Sequence, residues 1–83
     1  DWAHAGRYDR YLLSAQQNDQ LIGKLWELCQ SIDQYRDKTT FILTSDHGRG
    51  SGREEWKSHS AKLPGSEFIW VASFGAQLHA RGI

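Results

Sequence analysis

Apolar and polar positions divide this chain into four stretches. Residues 7–32, RYDRYLLSAQQNDQLIGKLWELCQSI, place Tyr8, Leu12, Ala15, Ile22, Leu25 or Trp26, and Cys29 at steps of three, four or seven, with charged and amide residues between them. That period predicts an amphipathic helix. Gly23 costs up to about 1 kcal/mol in a helix interior, so it is expected to mark close packing. Residues 33–38, DQYRDK, form a polar connection. Residues 39–44, TTFILT, are β-branched and apolar, which predicts a strand buried on both faces. Residues 46–65 are polar, with Gly48, Gly50, Gly52, Gly65 and the only proline, and read as one long loop. EFIWVAS at 67–73 predicts a second strand, and the tail FGAQLHARGI has no clear period.

Helix, strand, long loop and strand are part of an α/β pattern. Two strands alone leave much of their apolar surface wet, so further strands are expected beside them. The 83 residues are therefore expected to be a single partial domain, truncated at both ends.

Composition narrows the function. Hydrophobic residues make up 39% and charged residues 24%, as in ordinary globular proteins, and the formal net charge is zero. A neutral chain is a poor match for duplex nucleic acid or an anionic membrane, and no stretch reaches the roughly 20 apolar residues of a membrane helix. The expected partner is a small molecule. Cys29 is alone, leaves the redox compartment open, and reads as a small apolar helix residue. Of the four tryptophans, Trp26 and Trp70 fit core positions, while Trp2 and Trp56 each lie near a histidine.

The chemistry gathers beside the regular elements. Asp46-His47 ends the first predicted strand, where ligands bind in open α/β sheets, and the following glycines allow tight turning and close backbone approach. His59 comes twelve residues after His47, in Trp56-Lys57-Ser58-His59. Asp1-Trp2-Ala3-His4 adds another acid and imidazole just before the long helix. Two aspartates and three histidines are N/O donors of the kind zinc takes. Five are too many for one open catalytic site and suit two ions sharing a substrate. Arg49 and Lys57 are cations that could touch a phosphate or sulfate, though solvated loop positions are the simpler reading. His79 has no ligand-like neighbour, and Arg53-Glu54-Glu55 reads as a solvated run.

Taken together, the acid-and-histidine start, the helix YDRYLLSAQQNDQLIGKLWELC, the strand FILTSDHG, a loop histidine and the strand GSEFIWVASFG resemble the carboxyl-terminal part of the alkaline phosphatase superfamily, over almost the whole chain. That group includes type I phosphodiesterases/nucleotide pyrophosphatases, phosphoglycerate mutases, phosphopentomutases and sulfatases. The resemblance implies a fragment of a three-layer α/β sandwich and a metal-dependent hydrolase of phosphate esters. It implies two divalent ions, zinc or alternatively manganese. Asp46 and His47 would hold the ion that also holds the nucleophile, and Asp1, His4 and His59 would hold the other. The family spacing sets the histidine four residues after the acid; here the step is three, so the ligand is Asp1 or the residue before it. The family nucleophile lies upstream, so no catalytic residue is expected within the chain. Many relatives are periplasmic or secreted, which favours such a location. A sulfatase is the alternative within the class, although sulfatases bind one calcium through oxygen-rich ligands and the histidines count against it. A non-catalytic metal-binding or interaction fragment is the alternative outside it, as is a purely structural α/β module with Asp46 and His47 as a turn.

Overall fold

The computed structural model describes residues 1–79 and 81. One long helix is followed by a two-stranded antiparallel sheet, giving a small mixed α/β structure. The molecule is extended, measuring 47 × 24 × 18 Å. Its radius of gyration is 16.2 Å, against about 12 Å for a compact chain of this length.

Helix α1 spans Tyr8–Ser31. A turn precedes it, closed by Ala5 N–H to the Asp1 carbonyl (3.1 Å), Gly6 N–H to Ala3 (2.9 Å) and Arg7 N–H to Trp2 (2.9 Å). Gly6 has φ +68°, a conformation that favours glycine, and it turns the chain into the helix. Arg7 pairs with Asp9 in the first turn at 2.8 Å. This hydrogen bond lowers the Asp9 carboxyl to about 2, and the negative charge suits the helix N-terminus. At the other end Ile32 turns to extended backbone. The connection is held by Arg36 N–H to the Ile32 carbonyl (2.8 Å) and by Thr39 Oγ1 to the Tyr35 carbonyl (2.9 Å).

Strand β1 is Thr40–Thr44 and β2 is Val71–Gly75, paired from Thr40↔Gly75 to Thr44↔Val71. The second strand thus begins later than the expected 67–73, and Trp70 is exposed rather than in a core. Gly75 allows the pairing to close: a Cβ there would collide with the Thr39 carbonyl oxygen, which accepts from Ala76 N–H at 3.0 Å.

Helix and sheet meet through aromatic rings. Phe41 and Phe74 face each other across the strands, centroids 5.3 Å apart, and Trp26 packs on both at 5.6 and 5.3 Å. Burial along β1 alternates, with Phe41 and Leu43 half-covered on the helix side. The expectation of a strand buried on both faces is corrected here: a single helix covers only one face, and Ile42 on the other is 73% exposed. The helical stripe is covered at Ile22, Trp26 and Cys29 but open at Tyr8 and Leu12, because the sheet reaches only the C-terminal half. Gly23 has nothing within 4 Å of a would-be Cβ, so it marks no close packing. Among the described residues Ala3 is the only buried hydrophobic side chain. Among the described residues no helix is long and apolar enough to cross a membrane.

Candidate metal centre

The 46–65 segment is an ordered layer against the start of α1. Gly48 N–H donates to the Ser66 carbonyl (2.8 Å) and Gly50 N–H to the Ser58 carbonyl (3.1 Å), tying the stretch after β1 to both flanks of the loop. A Cβ at Gly48 would run into the carbonyl oxygens of Gly65 and Phe68, so only glycine fits. Glu55–Lys57 form a short 3-10 turn that presents Trp56 to the helix. Trp56 packs edge-on against Tyr8 at 5.3 Å and lies 6.0 Å from Tyr11. These contacts seat Trp56, and with it the residues just after it, beside the amino-terminal turn.

Three histidines meet there from three separate segments. His4 Nε2 and His59 Nε2 are 3.2 Å apart. His47 and His59 are stacked, with centroids 3.7 Å apart and planes 19° from parallel. His47 Nδ1 lies 2.7 Å from the Gly48 carbonyl oxygen. A carbonyl only accepts, so Nδ1 carries a proton, and this is the orientation that lets Nε2 serve as the metal-donor nitrogen. That Nε2 is 3.6 Å from Asp46 Oδ2, while Asp46 Oδ1 accepts from His47 N–H at 2.9 Å. His59 is pushed below the ordinary imidazole value, first by burial and then by the nearby His47, His4 and Arg49, beside which a second positive charge is disfavoured. It is therefore neutral at pH 7, with a lone pair to offer.

The geometry can be compared with a metal site. Zn–N bonds of about 2.0–2.1 Å in a tetrahedral site put two donor atoms about 3.3 Å apart. The His4–His59 pair at 3.2 Å and the Asp46–His47 pair at 3.6 Å both lie close to that spacing. The donors come in twos: among the described residues no three His, Cys, Asp or Glu side chains converge on one cation position. The stacking of His47 on His59 explains this, because parallel rings aim their nitrogens side by side rather than at a shared point.

Of the five residues expected as ligands, His4, His47 and His59 come together and Asp46 stands beside His47. Asp1 is exposed and is tied in through its backbone carbonyl. His79 is exposed. The two loop cations separate: Lys57 is paired with Glu54 at 2.7 Å, while Arg49 lies with its guanidinium 5.6 Å from the Tyr11 ring centroid. The contributions of Tyr8 and Tyr11 were hidden in the sequence, where Tyr8 reads as part of the helix stripe and neither ring shows its loop partner. No family model, curated protein or solved structure matches the chain.

Proposed function

We propose that the chain is part of the metal-binding half of a hydrolase of phosphate esters, of phosphodiesterase or phosphatase type, built like the alkaline phosphatase superfamily. The observation that supports this most is the pair of facing nitrogens, His4 Nε2 and His59 Nε2, at 3.2 Å, set against the Asp46–His47 pair where β1 ends. On this reading His4 and His59 hold one divalent ion, zinc or manganese, and Asp46 and His47 hold a second. Each pair supplies two of the four donors of a tetrahedral site, so the remaining ligands and the nucleophilic hydroxyl belong to other parts of the protein. The bare outer face of the sheet agrees with this, since a three-layer sandwich would cover it. When bound, such ions neutralise the oxygens of the transferred group and acidify a nearby hydroxyl.

The chain's own residues orient the donors. The His47 Nδ1–H bond to the Gly48 carbonyl fixes that ring's orientation. Trp56 against Tyr8 and Tyr11 holds the loop carrying His59, and the turn of residues 1–6 presents His4 to it.

Calorimetric titration with zinc tests the metal reading. Uptake that weakens on His4→Ala, His47→Ala and His59→Ala supports it; no uptake, or uptake indifferent to all three, sinks it. Assays of the zinc-loaded protein on nitrophenyl phosphate, its diester and nitrophenyl sulfate test the substrate class. Turnover of the sulfate ester alone would replace the phosphate assignment with the sulfatase alternative.

A further inference from the structure

The rim of β1 that faces away from β2 has no partner strand among the described residues. Ala76 N–H donates to the Thr39 carbonyl, which sets Thr39, Phe41 and Leu43 as the positions bonded to β2. Thr40, Ile42 and Thr44 therefore send their N–H and C=O groups outward. The sequence KTTFILTSD, residues 38–46, is close to symmetric about Ile42. Laid antiparallel on a second copy about that residue, it sets Thr40 opposite Thr44, Phe41 opposite Leu43 and Ile42 opposite itself. Lys38 then falls opposite Asp46 of the second copy, twice by symmetry. Both residues are exposed, and Lys38 has no acidic partner among the described residues. Matched threonines, an aromatic ring against an aliphatic chain, and opposite charges are the cross-strand pairs that stabilise antiparallel sheets. β2 has no such match: about Ser73, Val71 falls opposite Gly75, whose φ of +124° departs from extended strand.

The helix adds a second surface. Leu21, Leu25 and Leu28, with Ile32 just past the helix end, are exposed and follow at steps of four, three and four, the spacing of a helix–helix seam. They lie about a quarter turn around α1 from Ile22, Trp26 and Cys29, so they face along the sheet rather than into it. The seam exposes on the order of 400 Å² of apolar surface, the size that marks an interaction site. Adding the β1 rim and Ile42 brings the area close to the roughly 800 Å² per partner of an ordinary stable dimer.

We propose that the chain pairs with a second copy of itself, β1 against β1 in antiparallel register about Ile42, with the leucine seams of the two helices meeting above the joined sheet. The result is a four-stranded sheet in the order β2-β1-β1-β2. A two-fold axis perpendicular to that sheet keeps both helices on one face, and the interface is the same patch on each copy. The proposal goes beyond the phosphate-ester reading and does not rest on it, since it concerns the rim of β1 and not the histidines.

Sedimentation equilibrium of the metal-free chain, with EDTA present throughout, tests this apart from any ion on Asp46. Wild type is compared with Lys38→Glu, Asp46→Lys, the two together, and Leu25→Gln, with helical circular dichroism on each to establish that the fold is retained. Each single charge reversal sets like charges opposite one another twice, and is expected to weaken dimerisation roughly tenfold. The double reversal restores opposite pairs and should return to within about threefold of wild type. Leu25→Gln should also weaken the dimer. Amide exchange read by NMR supplies the register: Ile42 N–H should slow as concentration rises, while Phe41 N–H, already bonded to β2, should not change. A chain that stays monomeric leaves the rim to a strand from elsewhere in the protein and overturns the proposal. Single reversals without effect, a double reversal that stays weak, or a dimer in which Ile42 N–H exchanges as fast as at dilution overturn the strand pairing. A Leu25→Gln dimer as tight as wild type overturns the helical contact.

Discussion

His47 and His59, twelve residues apart, lie ring on ring with centroids 3.7 Å apart. Neither sits in a helix or strand: His47 follows the end of β1 and His59 follows the 3-10 turn. Two imidazoles in that arrangement repel if both are protonated, so the stack disfavours a second positive charge.

Acid should therefore loosen the loop. The His59 value lies below 6.5, lowered first by burial and then by its neighbours His47, His4 and Arg49, beside which a second positive charge is disfavoured. The unfolded chain then takes up the proton first. Stability present at neutral pH is lost as pH falls below 6.5 toward the lower folded value, and it is unaffected above that window. Urea unfolding at a series of pH values, with an imidazole NMR titration of the metal-free chain, checks this. His59 titrating above its ordinary value would refute it.

Removing either facing nitrogen should cost most of the affinity for zinc. Loss of partners that merely orient a ligand costs about tenfold to a hundredfold. His4→Ala and His59→Ala remove donors themselves, so each should weaken zinc binding by more than roughly a hundredfold. The double variant should lose little beyond either single one, because one donor of a pair cannot hold the ion. Additive losses in the calorimeter would place the two rings in separate sites.

Gly48→Ala should destabilise the protein by about 1–3 kcal/mol, the usual cost of forcing atoms into filled space. The new Cβ meets backbone oxygens of Gly65 and Phe68, which cannot swing aside as side chains do. Gly23→Ala should instead stabilise the helix by up to about 1 kcal/mol, since nothing lies near that Cβ. Thermal melts of the two variants should shift in opposite directions.

Trp26→Ala should separate helix from sheet. Full burial of such a ring is worth about 3–5 kcal/mol, and Trp26 is only half covered, so about 1.5–3 kcal/mol is expected. The near-ultraviolet circular dichroism of the Trp26–Phe41–Phe74 cluster should fall while helical signal largely persists. Retention of both signals would show that the packing lies elsewhere.

Much of this was legible from periodicity. The helix shows in its three-and-four spacing, and its boundaries fall within a residue of those expected. The first strand shows in TFILT, but its two-sided burial did not follow, because a run of apolar residues does not say how many layers lie against it. The second strand was placed too early: Phe68, Ile69 and Trp70 are apolar enough to read as strand, yet the register from Thr44↔Val71 begins only after them. The histidines could be picked from sequence because each stands beside a regular element. Their stacking could not, because it depends on Trp56 closing onto Tyr8 and Tyr11, three aromatic positions with no common spacing. Arg49 and Lys57 look alike as loop cations; only Glu54, three residues before Lys57, tells them apart.

The bare face of β1 has a practical consequence. A two-stranded ribbon keeps one rim of unpaired N–H and C=O groups on each strand, and here Ile42 adds an apolar side chain that is 73% exposed. Such rims recruit any extended polypeptide within reach. Samples of this chain should thus turn cloudy with rising concentration, and a single lysine in place of Ile42 should keep them clear.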